Sequence, residues 1–154
     1  MKPTDFKDIL YEKEAETGIV TVTMNTPHRK NAQSLYTFLE LWWAADLFAK
    51  DESAHAMIIT GAKDPKNPDP AREAFSSGGY FNPDATRNID PDLLDQIDFT
   101  DIAQKRVVEK FWYLDKPVIA AINGLAIGGG ITLPLSCCDL IYMSEHAWIR
   151  FPFV

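Results

Sequence analysis

Residues 122–133 read INGLAIGGGITL: an apolar run, three consecutive glycines and a second apolar run. Glycine inside a regular element costs roughly 0.5–1 kcal/mol relative to alanine. Gly128, Gly129 and Gly130 must therefore answer a need for bare backbone. The segment before them, VIAAIN at 118–123, is apolar and partly β-branched and follows Lys116-Pro117, which predicts a buried strand. The segment after them predicts a short helix from Gly129 to Ser136, then strands at 139–143 (DLIYM) and 147–151 (AWIRF). The triple glycine thus sits where a strand hands over to a helix.

A second glycine turn lies upstream. AFSS at 74–77 predicts a short strand that ends at Gly78-Gly79. Both turns can present backbone N–H groups with no side chain in the way. The second also opens a helix, whose first amides lack intrahelical partners and sit at the positive end of the dipole. Two such amides aimed at one carbonyl oxygen would stabilise negative charge developing there. Close packing of helix on strand accounts for the glycines equally well. Nucleotide-binding loops fit worse: Ile131-Thr132 stands where a Walker loop needs Lys-Ser/Thr, and G-x-G-x-x-G does not occur.

Further out, GIVTVTM at 18–24 alternates, with Val20, Val22 and Met24 on one face of a half-buried strand. TPHRKNAQ at 26–33 reads as a polar loop, and Ser34 as the N-cap of a helix whose Leu35, Phe38, Leu39, Trp42, Ala45 and Ala49 recur at helical spacing. AMIIT at 56–60, closed by Gly61, predicts another buried strand, and strand–helix–strand suggests a βαβ-like unit. Pro65, Pro68 and Pro70 make 62–73 a surface loop; 80–99 is irregular and acidic; Thr100 caps a helix to about Leu114.

The 154 residues carry 46% apolar side chains and a formal net charge of −7, an α/β globular chain with one core. That acidity argues against nucleic acid and against an anionic membrane surface as partners. The N-terminus lacks the apolar run of a signal peptide, and no stretch is long enough to span a bilayer. The two cysteines, Cys137 and Cys138, are adjacent, which excludes a disulfide framework, reads as buried small apolar residues and fits a cytoplasmic location. His28, His55 and His146 have no partners at ligand spacing, so no metal site is expected.

Three segments together carry a family resemblance. KPVIAAINGLAIGGGITLPLSCCDLIYMSEHAWI (116–149), MNTPHRKNAQS (24–34) and AFSSGGYF (74–81) resemble, in order and spacing, the signatures of the enoyl-CoA hydratase/isomerase, or crotonase, family. The resemblance implies a right-handed superhelix of β-β-α units and an acyl-CoA-processing enzyme. It implies that the amides of Gly79 and Gly129 hold the thioester carbonyl as an enolate forms. It places the CoA phosphates near Lys30, with Arg29 as the alternative, and the adenine and pantetheine along the backbone around Ala74 and Ser76. Coenzyme A arrives as part of the substrate, and no tightly bound cofactor is implied. The family forms trimers or hexamers through C-terminal helices. Because the chain stops at Val154 just after a predicted strand, residues 1–154 are expected to be one core domain lacking that C-terminal part, with Phe151, Phe153 and Val154 exposed and solubility or oligomeric state altered.

Two departures bear on the chemistry. A hydratase of this family uses two glutamates; the matching positions here are Thr132 and Phe153. Neither can act as a general base. Thr132, Pro134 and Pro152-Phe153 instead resemble the Δ3,Δ2-enoyl-CoA isomerase-like branch, in which one carboxylate moves the proton; that residue would lie beyond Val154. Tyr80-Phe81 suggests an alternative, an aryl- or acyl-CoA hydrolase or dehalogenase on the same fold. A non-catalytic CoA-binding subunit is the reading from another class. Among the visible carboxylates, Asp139 reads as structural and Glu145 as solvated, while Asp84, Asp90, Asp92 and Asp95 belong to the acidic segment. Ser136 lies too far past the glycines for a serine-protease reading.

Overall fold

The computed structural model describes residues 2–82 and 101–153. It begins with an antiparallel pair, β1 (Ile9–Lys13) and β2 (Ile19–Met24), with Ile9 opposite Met24. In β2, Val20, Val22 and Met24 are buried and the alternate residues are half-buried, as a period of two requires. Helix α1 (Leu35–Lys50) then crosses to β3 (Ala56–Gly61), which runs parallel to β2. This is the expected βαβ unit.

The rest repeats a pattern. β3 is followed by β4 (Ala74–Ser76), then by a π-helical turn at Asp101–Arg106 that runs into α2 (Val107–Trp112). Next come β5 (Val118–Ile122), β6 (Leu125–Ile127) and α3 (Gly129–Cys137), then β7 (Leu140–Met143) and β8 (Ile149–Arg150). The first strand of each pair joins a five-stranded sheet, β1-β2-β3-β5-β7, parallel from β2 onward. The second joins a three-stranded parallel sheet, β4-β6-β8. This is the expected superhelix of β-β-α turns, and parallel crossovers are right-handed. In the first turn the small-sheet strand is reduced to a single parallel bridge between Gln33 and Gly79.

Several local readings need adjustment. Ser34 caps α1: its Oγ accepts the Thr37 N–H, and its own backbone N–H donates to Thr37 Oγ1 in return. The buried face of α1, however, centres on Leu41, Ala44, Ala45 and Phe48; Trp42 is half-buried and Ala49 exposed. Leu35, Phe38, Leu39 and Ala45 of the expected face are buried as well, so the covered face is wider than the one stripe its spacing marks. β1 was not legible, because a buried Glu40 organises it: its carboxylate accepts the N–H groups of Lys7, Asp8 and Ile9 at 2.7, 2.8 and 3.1 Å. β6 escaped because three residues carry no period. Thr100 and the carboxylates Asp84, Asp90, Asp92 and Asp95 lie outside the described residues.

Asp139 is structural as read: its carboxylate accepts the Val118 N–H at 2.7 Å, joining β7 to β5. All four residues of β7 are exposed, as are Leu135, Phe151 and Phe153. Strands in parallel sheets are ordinarily covered on both faces. No described helix is long and apolar enough to cross a membrane.

Candidate functional site

The three glycines of α3 and its approach meet three different needs. Gly128 has φ +54°, and a β-carbon there would meet nothing nearer than Pro152 at 3.7 Å. Its need is conformational: the chain turns sharply from β6 into α3 through a region L side chains rarely adopt. Gly130 is the reverse case. A β-carbon on it would stand 2.2 Å from the Ser76 carbonyl oxygen, so α3 can approach β4 only without one. At Gly129 a β-carbon would point toward the Gln33 side-chain oxygen at 2.9 Å and the Gly79 nitrogen at 3.7 Å. Packing therefore explains Gly130, and Gly129 lines a cavity together with Gly79.

That space is bordered by two free amides. Gln33 makes both of its bridge bonds to the neighbours of Gly79: its N–H donates to Gly78 O at 2.7 Å and its C=O accepts the Tyr80 N–H at 2.9 Å. In a parallel bridge the central residue turns its own N–H to the opposite side. The Gly129 N–H is free because it belongs to the first residue of a helix. Among the described residues, neither amide donates to a protein acceptor. Gly79 and Gly129 both line a cavity of about 430 Å³. Gly129, Thr132, Leu133 and Ser136 form one of its walls, the positions of a single helical face. Phe38, Phe81, Val108 and Phe153 make most of the remainder apolar.

No carboxylate or histidine lines this cavity among the described residues. Thr132 and Phe153 do line it, so both positions that depart from the two-glutamate pattern face the same space. Burial pushes the thiols of Cys137 and Cys138 up to about 12, which leaves them protonated and inert near neutrality. No group of His, Cys, Asp or Glu able to hold a metal occurs among the described residues.

The two adjacent cations differ in what they touch. Arg29 is paired with Asp8 at 2.6 Å and lies 4.4 Å above the Tyr80 ring. Asp8 also accepts the hydroxyls of Ser34 and Thr37, so this ion pair belongs to the cap of α1. Lys30, at φ +57°, donates from Nζ to the Arg72 carbonyl at 2.9 Å and has no carboxylate partner among the described residues. Its own carbonyl accepts the Ser77 N–H at 2.9 Å, which sets it two residues from Gly79 along β4's exit. Ala74 and Ser76 are buried. The Ala74 carbonyl accepts from Asn31 Nδ2 at 2.7 Å, and Ser76 Oγ donates to the Asn31 carbonyl at 2.8 Å while accepting the Gly78 N–H at 3.1 Å. Their polar groups thus hold the 29–34 loop against the Gly78-Gly79 turn.

In the sequence Gln33 is one residue of a polar loop. It is wholly buried, it carries the bridge that frees the Gly79 amide, and it borders the cavity. The one hint in the sequence was its place directly before an N-cap serine.

The family model for enoyl-CoA hydratase/isomerase matches residues 14–154. A short-chain-enoyl-CoA hydratase of Clostridium acetobutylicum is 29% identical over 150 residues, covering 97% of this chain and 51% of that protein. A probable mitochondrial enoyl-CoA hydratase of Dictyostelium discoideum is 34% identical over 143 residues, covering 88% of this chain and 42% of its own length. Among solved structures, an enoyl-CoA hydratase/isomerase from Xanthobacter autotrophicus Py2 superposes with a TM-score of 0.75 at 29% identity, over 96% of this chain and 49% of that one. The chain spans about half the length of the curated relatives it matches.

Proposed function

The chain belongs to the enoyl-CoA hydratase/isomerase family, and we propose that it serves acyl-CoA chemistry by stabilising a thioester enolate between the amides of Gly79 and Gly129. The observation that carries this reading is that Gly79 and Gly129, whose amides donate to no protein acceptor among the described residues, line one mostly apolar cavity. A thioester oxygen placed there accepts both N–H groups, and charge developing on it as the α-proton leaves is met by fixed donors. Each such donor is worth about 2.7–4 kcal/mol in the transition state.

The site as described offers no proton acceptor, so the reading assigns proton transfer to a carboxylate outside the described residues. One carboxylate suffices to shift a double bond, since the proton taken from C2 is the one returned to C4. That favours isomerase-type chemistry over two-glutamate hydration, with Thr132 and Phe153 shaping the acyl pocket. Lys30 takes the CoA phosphates, because Arg29 is already committed to Asp8. The β4 edge at Ala74 and Ser76 guides the pantetheine and adenine toward Gly79. Coenzyme A comes and goes with the substrate. Residues 1–154 form one core domain, and the exposed β7 and Phe151 are consistent with assembly into a trimer or hexamer.

The test is product analysis on 3-enoyl-, 2-enoyl- and aryl-CoA substrates. Conversion of 3-enoyl- to 2-enoyl-CoA supports isomerisation. Free CoA or a dehalogenated aryl-CoA redirects the reading to hydrolase or dehalogenase chemistry. Binding of CoA thioesters with no turnover leaves a non-catalytic CoA-binding subunit.

A further inference from the structure

Arg29 and Lys30 touch the Gly78-Gly79 turn on both of its sides. Before the glycines, the Lys30 carbonyl accepts the Ser77 N–H at 2.9 Å. After them, the Arg29 guanidinium lies 4.4 Å from the centre of the Tyr80 ring. Arg29 is itself immobilised: it is paired with Asp8 at 2.6 Å, and Asp8 accepts the hydroxyls of Ser34 and Thr37 at the start of α1. Arg29 Nε, however, is buried with no hydrogen-bond acceptor. A buried donor left unpaired is costly, and a lysine would neutralise Asp8 without one. What a lysine lacks is a flat cation to lay on a ring. Tyr80, rather than Asp8, therefore accounts for a guanidinium at this place.

The turn needs such a hold. Gly78, at φ +89°, and Gly79 have no side chains to pack them in position. The Gly79 N–H shares one planar peptide unit with the Gly78 carbonyl, so a rotation of that unit turns both. Main-chain bonds from Gln33 fix the Gly78 carbonyl at 2.7 Å and the Tyr80 N–H at 2.9 Å. Beyond them Phe81 and Asn82 are exposed, so Tyr80 is the first residue after the glycines, and the last described one, with a half-buried side chain. We propose that Tyr80 is a positioning residue for the Gly79 amide, its ring held by Arg29 so that the Gly78–Gly79 peptide unit keeps one orientation. This rests on the acyl-CoA reading above. Without the ring the turn is held by main-chain bonds alone, and donors free to reorient stabilise developing charge less than fixed ones.

The test is difference infrared spectroscopy of butyryl-CoA, isotope-labelled at the thioester carbonyl and bound to the full chain as wild type, Tyr80→Phe and Tyr80→Leu. Hydrogen bonds from the Gly79 and Gly129 amides lower the carbonyl stretch of the bound ligand relative to the free one. Wild type and Tyr80→Phe, which keeps the ring, should both show the lowered stretch. Tyr80→Leu should lose at least half of that shift, with CoA affinity and the urea unfolding midpoint unchanged. A full shift in Tyr80→Leu overturns the inference and leaves the acyl-CoA reading standing. A loss in Tyr80→Phe overturns it too, as does a loss in Tyr80→Leu that comes with a lowered midpoint, which would assign the ring to the fold. Should Tyr80→Leu not fold, Arg29→Lys keeps a cation for Asp8 and removes the planar face; it should lose the shift likewise, and a full shift there overturns the inference. If the wild type does not bind butyryl-CoA, or binds it with an unshifted stretch, the reading of Gly79 and Gly129 falls and this one with it.

Discussion

Gly130 packs against Ser76 so closely that a β-carbon on the glycine would lie 2.2 Å from the Ser76 carbonyl oxygen. This contact seats α3 on β4 and so sets how the Gly129 amide approaches the Gly79 turn. Gly130→Ala should force the helix off the strand. We expect a loss of about 1–3 kcal/mol or more of stability, read by denaturant unfolding. An unchanged midpoint would mean that the two elements are not held in register by this contact.

Gly129→Ala should separate stability from activity. Its new methyl meets the end of the Gln33 side chain at 2.9 Å rather than backbone, so the fold should lose less than with Gly130→Ala. The methyl nevertheless stands 3.7 Å from the Gly79 nitrogen, beside the amides we propose as oxyanion donors. Turnover should fall about 10²-fold or more, the scale of losing one donor. Steady-state kinetics alongside a melting curve distinguishes the two effects.

Lys30→Met should weaken CoA about fivefold, and the wild-type affinity should fall with added salt more steeply than that of the variant, as expected for an exposed charge. Arg29→Met should instead destabilise the protein, because it strips Asp8 of its cation. CoA titrations at two salt concentrations test the assignment; equal salt slopes would count against Lys30.

Asp46 links α1 to α2 by accepting Lys110 Nζ at 2.6 Å, and it also accepts Lys50 Nζ at 2.7 Å. The bond from Lys110, then that from Lys50, holds its carboxyl below the ordinary 3.8. The folded chain thus binds this proton less tightly than the unfolded one. The stabilisation is present above pH 3.8 and is lost as pH falls through the lowered value. Asp46→Asn should cost about 1.5–3 kcal/mol at neutral pH, with the deficit shrinking in acid. Glu40 has the opposite sign. Burial raises its pKa above 4.5 despite three backbone N–H donors, so its contribution is full below 4.5 and declines as pH rises through the raised value. Urea unfolding of wild type, Asp46→Asn and Glu40→Gln across pH 3–7 should yield difference curves of opposite slope.

Cys137 and Cys138, with pKa values near 12 caused chiefly by burial, should resist alkylation in the native protein at pH 8 and react only on unfolding. Rapid native labelling, seen by intact mass, would contradict the packing of α3.

Much of this protein was legible in its sequence, because the physics is local there. Alternation marked β2, a serine before an apolar run marked the start of α1, and glycine punctuation marked the ends of β3, β4 and the approach to α3. Motif resemblance carried the family and named the two amides. The tertiary structure alone decided which glycine does what, since Gly128 turns at φ +54° with no close neighbour while the Ser76 contact of Gly130 depends on β4, some fifty residues away in the chain. It alone committed Arg29 to Asp8 and left Lys30 without a carboxylate among the described residues. It alone made a loop glutamine into a buried wall of the site: Gln33 is polar in a polar stretch, and only its pairing with Gly79 removes it from water. Burial is a property of what packs around a residue, and the chain within a few residues of Gln33 carries no record of that.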